Sequence, residues 1–410
     1  IAGLREPVLL ADIVNSDPVF AGSQNHRFHD LPESLGGRTG NSDPYGDYLN
    51  DVKRERQEVL YVGANGGMMH AFNAQTGHEM FAYVPSMVYD QLENLTKLTY
   101  GMASNAHRYT VDGPLFVGDA YFTHNGVTKW RNILVGTLGA GGRGLFVLDV
   151  SDPSSFNENN VLFELTEEDI PEIGNITGRP IVAPTSDGWK IFVGNGYNSD
   201  NGQSSLIVVD LSDPKGNSTV VLSTDAVGSN GMAEPELLPD GQGVITHAYA
   251  GDLQGRLWKF DLTPAQPGNW TVAFNGQPFF TARDRNGRVQ PITAAPVLGR
   301  NAQKDNATMV YFGTGSYLTP ADNQAGNTVQ SFYALADTGI RITSTDRSEL
   351  MEKSIVSESA SGNGDLDGRS VRQISNNDNT EWWAGASVKR GCYMDLQYGG
   401  EITGERVTSK

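Results

Sequence analysis

Tyr249-Ala250-Gly251-Asp252-Leu253-Gln254-Gly255-Arg256-Leu257-Trp258-Lys259-Phe260-Asp261 holds two β-rich runs around one tight turn. The first run ends in Gly and the second in Asp. The same phrase returns at Tyr61-Val62-Gly63 to Phe72-Asn73, Leu134-Val135-Gly136 to Leu148-Asp149, Phe192-Val193-Gly194 to Val209-Asp210, and Tyr311-Phe312-Gly313 to Leu335-Ala336-Asp337. From Gly63 onward the phrase glycines lie 73, 58, 57 and 62 residues apart. A repeat of that length made of strands marks a radial array of small sheets, so the expected fold is an all-β, modified β-propeller.

A second element precedes each phrase. Pro18, Pro114, Pro180, Pro235 and Pro296 each stand before a short apolar run. Proline donates nothing to a ladder, so it suits the first residue of a strand or an edge. Each unit then reads as a Pro-opened strand expected innermost, a strand ending in Gly, a hairpin, a strand ending in Asp or Asn, and a looser outer strand. Asn65-Gly66-Gly67, Gln254-Gly255, Asn125-Gly126, Asp187-Gly188 and Asn286-Gly287 supply the tight turns. Met68, Met69, Leu257, Trp258 and Phe260 are expected to pack between sheets.

The 410 residues suit one large repeat fold, expected to be a single domain over 1–410 and a fragment of a longer protein, since the chain starts with Ile1 and shows no signal-peptide core. Three stretches depart from the pattern. Residues 23–58 are polar and read as an inserted loop. Residues 86–108 carry Met87, Tyr89, Leu92 and Leu95 at helical spacing and read as an inserted helix. Residues 338–380 are rich in Ser, Asn, Asp and Gly after a helix-like run near Arg347–Lys353. Trp382-Trp383, Cys392 to Leu396 and Gly404 to Val407 read as one more strand set. The next Pro-opened strand would fall beyond Lys410, so the expectation is that the last strands are absent or that residues 1–15 close the ring.

A net charge of −18 argues against nucleic acid and anionic lipid as partners. No apolar run is long enough to span a membrane. The single cysteine, Cys392, forms no internal disulfide and reads as a small apolar filler.

The runs Asp12-Ile13-Val14-Asn15-Ser16, Tyr61 to Phe72, Gly141 to Asp149, Tyr249 to Leu262, Val329 to Tyr333 and the closing Gly391-Cys392-Tyr393-Met394-Asp395-Leu396 resemble the C-terminal domain of the PilY/PilC type IV pilus tip proteins. The resemblance covers nearly the whole chain. It implies a propeller of about seven blades on a Gram-negative surface protein at the pilus tip, in periplasm, outer membrane or cell surface. It also implies a role without catalysis: pilus biogenesis with minor pilins, tuning of extension and retraction for twitching motility, and adhesion to host or surface receptors.

The resemblance further implies a calcium loop before Tyr249, with side-chain oxygens at loop positions 1, 3, 5 and 9 and a carbonyl at 7. Those positions fall on Leu238, Asp240, Gln242, Val244 and Thr246. A hard cation needs six to eight oxygens, and only Asp240 is acidic here, so the set is degenerate. Pro239-Asp240-Gly241 is equally a simple turn. Asn363 to Gly368 and the group Asn195, Asn198, Asp200 and Asn201 offer oxygens too, and both read foremost as solvated loops.

Catalytic patterns are scarce. The seven histidines form no metal-binding pair at helical spacing, and no Gly-x-Ser-x-Gly elbow exists. Gly139 to Gly144 lacks the Lys-Ser/Thr of a phosphate cradle. The alternative is a quinone-dependent dehydrogenase on a similar propeller, with Trp189, Trp258 and Trp382 as ring donors. It lacks an ordered set of acids beside them.

Overall fold

The computed structural model describes residues 10–224, 228–301, 307–323, 328–360, 370–375, 388–399 and 404–408. Five antiparallel sheets follow one another in chain order. The first contains β1 (Val19–Ala21), β2 (Val59–Ala64), β3 (Met68–Asn73) and β4 (Glu79–Tyr83). The second contains β5 (Leu115–His124), β6 (Val127–Thr137), β7 (Gly144–Asp149) and β8 (Val161–Thr166). The third contains β9 (Ile181–Thr185), β10 (Gly188–Gly194), β11 (Ser205–Asp210) and β12 (Val220–Ser223). The fourth contains β13 (Glu236–Pro239), β14 (Ile245–Gly251), β15 (Arg256–Asp261) and the short outer strands β16 (Thr271–Val272) and β17 (Phe280–Thr281). The fifth starts with β18 (Val297–Asn301), β19 (Ala307–Gly313) and β20 (Ser331–Asp337).

Every expected phrase is therefore the second and third strand of one sheet, and every expected proline stands just before a first strand. The repeated Gly is a packing device. A Cβ at Gly136 would lie 2.1 Å from the Phe146 ring, and one at Gly251 would lie 2.2 Å from Ile292. The repeated Asp or Asn turns the chain toward the fourth strand. Oδ1 of Asn73 accepts the N–H of Gln75, Asp149 that of Ser151, Asp210 that of Ser212, and Asp337 that of Gly339. In three sheets the other carboxylate oxygen pairs with a base: Asp149 with Arg131, Asp210 with Lys190, and Asp337 with Lys259.

The chain resolves into two compact units. One runs to Gly231 and takes in Pro239–Thr246 and Leu262–Trp270. Within it, Val59, Tyr61 and Met69 of the first sheet meet Leu134, Phe146 and Leu148 of the second in one core. A second core joins Ile133, Val135 and Val147 to Trp189, Ile191 and Val209 of the third sheet. In the other unit, Tyr249, Leu257 and Phe280 pack with Val310, Phe312 and Tyr333. Trp258 and Phe260 are fully buried as well. These faces carry alternating large apolar residues, and their removal from water is what holds sheet to sheet.

Three expectations need correction. Residues 23–58, between β1 and β2, are not a polar loop. They form short turns at Phe28–Asp30 and Glu33–Leu35, helix α1 (Pro44–Tyr48) and a π-helical turn at Leu49–Lys53. Asp43 caps α1 by accepting from Gly46 N–H, and Pro44 fits its first turn. Leu31, Leu35, Tyr45, Tyr48 and Leu49 join the second core, and that burial outweighs the polar composition. The run Arg347–Lys353 is not helical. Arg347 takes a left-handed φ of 62° and Met351–Lys353 is strand β21. After it, β22 (Ile355–Ala360) and β23 (Ser370–Ile374) make a separate hairpin. Finally, Cys392 does not start a further strand set. β24 (Gly391–Asp395) pairs antiparallel with β20 as the fourth strand of the fifth sheet, and β21 lies parallel outside it. Trp382 and Trp383 lie outside the described residues. The inserted helix at 86–108 is present as α2 (Tyr89–Leu95) after a tight turn at Ser86–Val88.

Candidate docking surfaces

The degenerate calcium loop is a hairpin. Asp240 Oδ1 accepts the N–H groups of Gln242 at 2.8 Å and Val244 at 3.0 Å. Asp240 N–H donates to the Val244 carbonyl at 2.8 Å, and Gly243 N–H donates to the Asp240 carbonyl at 3.3 Å. Gly243 has φ 87°. Two other turns repeat this pattern. Asp252 accepts from Gln254 and Arg256 N–H before Gly255, and Asp284 accepts from Asn286 and Arg288 N–H before Gly287. All three share Asp-x-x-Gly, a turn-and-bulge signature open to reading in the sequence.

Calcium requires six to eight oxygens. Leu238 brings no side-chain oxygen and packs as an apolar residue, and the Val244 carbonyl already accepts Asp240 N–H. Asp240, Gln242 and Thr246 remain, and Asp240 already serves two backbone donors. These residues do not fit a calcium ion. The Asn195 group is similarly engaged. Asn195 Oδ1 accepts Ser205 N–H at 3.0 Å, Asp200 pairs with Arg143, and Asn201 Oδ1 accepts Gln203 N–H at 3.0 Å. Asn363 to Gly368 lie outside the described residues. Among the described residues, no three His, Cys, Asp or Glu side chains gather in a way that suits a metal ion.

Histidines pair with single carboxylates: His29 with Asp43 at 2.8 Å, His70 with Glu79 at 2.6 Å, His107 with Asp12 at 3.0 Å. Trp189 and Trp258 are buried, and their indole N–H groups donate to Leu35 O at 3.1 Å and Asp252 Oδ2 at 2.9 Å. Both are core residues with satisfied polar ends, unlike the open ring sandwich a quinone would need. Trp382 lies outside the described residues. Cys392 is half-buried in β24, and burial pushes its thiol pKa up, as an apolar filler would behave.

Two surfaces suit protein partners. On the first, Met87, Val88 and Leu92 tuck into the core of sheets one and two, and Gln91 donates to Gly141 O at 3.0 Å. Ser86 and Tyr83 both hydrogen-bond Glu164 on β8. The same segment leaves Tyr89, Leu98, Met102 and Tyr109 exposed, with Leu98 at 93%. These four side chains fall within 21 residues of the chain. The second surface is the β22–β23 hairpin. Its strands pair only with each other among the described residues, and Val356, Val371 and Ile374 are exposed. Arg372 holds Glu405 through two bonds of 2.5 Å each. An unpaired ladder edge accepts an added strand.

A third feature had no signal in the sequence. Asp119 on β5 is fully buried. It accepts from Lys53 Nζ at 2.5 Å, Tyr45 OH at 2.9 Å, Tyr48 OH at 3.2 Å and Asn132 Nδ2 at 2.8 Å. Lys53 Nζ also donates to Gln24 O at 2.5 Å. The Tyr45 and Trp130 rings meet at a tilt of 53° with centroids 4.6 Å apart. The network ties residues 23–58 to the second sheet, and separations of 66 to 74 residues hid it from any local pattern.

A family model described as the PilY1 beta-propeller domain matches residues 10–354. A type IV pilus biogenesis factor PilY1 homologue of Xylella fastidiosa is 37% identical over 391 residues, covering 95% of this chain and 28% of the relative. The type IV pilus biogenesis factor PilY1 of Pseudomonas aeruginosa strain UCBPP-PA14 is 33% identical over 438 residues, covering 100% of this chain and 36% of the relative. The chain thus spans about a third of the length of these curated relatives. The crystal structure of the Pseudomonas aeruginosa PilY1 C-terminal domain matches with a TM-score of 0.73 at 31% identity, covering 89% of this chain and 75% of that one.

Proposed function

The chain belongs to the PilY1 β-propeller domain family, and on that premise we propose that it serves type IV pilus biogenesis as a non-enzymatic binding module of the cell envelope or surface. The family match over residues 10–354 carries this reading. Its partners are minor pilins of the pilus tip, with a surface or host receptor as a further partner. Through them the module tunes extension and retraction.

Docking uses the exposed side chains of residues 86–109 and strand addition at the β22–β23 hairpin. Main-chain hydrogen bonds supply the affinity there, and the flanking Val356, Val371 and Ile374 supply selectivity. The test is complementation of a strain lacking the full-length protein. The full-length form should restore surface pili and twitching. A form with Tyr89, Leu98 and Met102 changed to Ser, and one with Val356, Val371 and Ile374 changed to Asp, should be made at normal level yet capture fewer minor pilins. Full capture by both variants overturns the docking assignment, and normal piliation without the protein overturns the biogenesis role.

A further inference from the structure

We propose that Lys53 and Asn132 become joined by an intramolecular amide bond, Lys53 Nζ to Asn132 Cγ, with Asp119 as the proton carrier. Three groups of the required chemistry meet in one dry site: an amine, a carboxamide and a carboxyl group. Lys53 and Asp119 have side chains 1% and 0% exposed, and Asn132 is 1% exposed as a residue. Asp119 Oδ2 lies 2.5 Å from Lys53 Nζ, and Asp119 Oδ1 lies 2.8 Å from Asn132 Nδ2. One carboxyl group therefore touches both the nucleophile and the group to be attacked.

A second observation separates this site from an ordinary buried ion pair. Asn132 Oδ1 is buried and finds no hydrogen-bond partner among the described residues. Leaving such an oxygen unsatisfied is unfavourable. A half-turn of the carboxamide places that oxygen against Asp119, where a carboxylic O–H satisfies it. Burial also lowers the pKa of the Lys53 amine, against the pull of Asp119 in the other direction, and so favours its nucleophilic neutral form.

The step balances within the chain. The proton of the Lys53 ammonium passes to the Asp119 carboxylate, which exchanges two buried charges for two neutral groups. The Nζ lone pair attacks Asn132 Cγ while Asp119 O–H donates its proton to the carbonyl oxygen. Asp119 then carries the excess Nζ proton to Nδ2, the Cγ–Nδ2 bond breaks, ammonia leaves, and the re-forming carbonyl returns its proton to Asp119. Nothing is oxidised or reduced, and no co-reactant is needed. Tyr45 and Tyr48 hydroxyls hold Asp119 in place, and the burial of all three reacting side chains limits competition from water. In the product the amide carbonyl takes the Asp119 proton as a hydrogen bond, and the unsatisfied oxygen is gone.

The experiment is peptide mapping of the full-length protein purified from its own host. Trypsin cuts after Arg38, Arg54, Arg131 and Arg143 but not after an acylated Lys53. The expected result is a branched species joining residues 39–54 to 132–143, lighter than the two peptides together by one ammonia. Lys53→Arg should give two separate peptides, with a native circular dichroism spectrum showing that it folds. A wild-type digest with residues 39–53 and 132–143 linear and unmodified overturns the proposal. So does a join lighter by one water at Asp119, or conversion of Asn132 to Asp without a join.

Discussion

The two insertions of the first unit solve the same problem in opposite ways. Residues 23–58 look polar, yet they bury Tyr45, Tyr48 and Leu49 and close on Asp119. Residues 86–108 look amphipathic, and they do pack Met87 and Leu92 inward, but α2 has no buried residue of its own and the segment leaves Leu98 almost bare. The difference teaches that one buried carboxylate with four donors outweighs average polarity, while helical spacing tells only which residues face inward. The first insertion is part of the core. The second is a surface laid on it.

Ways to break this contrast run from large effects to small. Asp119→Ala strands Lys53 without a counter-charge, and loss of one partner of a buried pair costs roughly 3–5 kcal/mol. Denaturant unfolding should show that loss, and a change below about 1 kcal/mol would place the first insertion alongside the second. Leu92→Ala should cost about 2 kcal/mol, the low end for a core leucine, because its pocket is shallow. Equal costs for these two substitutions would erase the distinction.

Alkaline titration probes the same network. Burial holds the Tyr45 and Tyr48 hydroxyls above the ordinary tyrosine range. The folded state keeps protons that the unfolded chain releases near pH 10, so stability is complete below about pH 10 and falls as pH rises past it. Tyr45→Phe with Tyr48→Phe should flatten that fall in part, since Tyr61, Tyr83 and Tyr249 are raised as well. An unchanged slope would deny the two hydroxyls their place at Asp119. Each lost hydroxyl contact should itself cost roughly 1 kcal/mol at neutral pH.

Changing Tyr89, Leu98 and Met102 to Ser should leave the unfolding midpoint within about 0.5 kcal/mol of wild type. A larger loss would mean that these side chains support the fold and are not reserved for a partner. The smallest expected effect is at Asp240: millimolar calcium should leave thermal unfolding unmoved, as should Asp240→Asn in its presence. A calcium-dependent rise that Asp240→Asn abolishes would restore the metal to this loop.

The sheets were legible because their signals are local. Gly and Asp recur where a close approach and a turn require them, and proline opens each first strand. The Asp-x-x-Gly turns were equally open to reading, and they reveal Asp240 as one of three alike. What stayed hidden is set by distance along the chain. Lys53 meets Asp119, and Cys392 pairs with Ala334, through contacts that no window of sequence contains. Composition misjudged residues 23–58 for the same reason, since the partners that bury them lie on β5 and β6.

The Asp-x-x-Gly turns, each closed by its own aspartate, set where the chain can lengthen. Each has its length fixed by a side chain that must reach donors two and four residues ahead, so a single added residue would unhook it. The long excursions of this chain avoid those corners and leave between β1 and β2, between β4 and β5, and between β20 and β24. Relatives should vary in length at those three exits and hold constant at the locked corners.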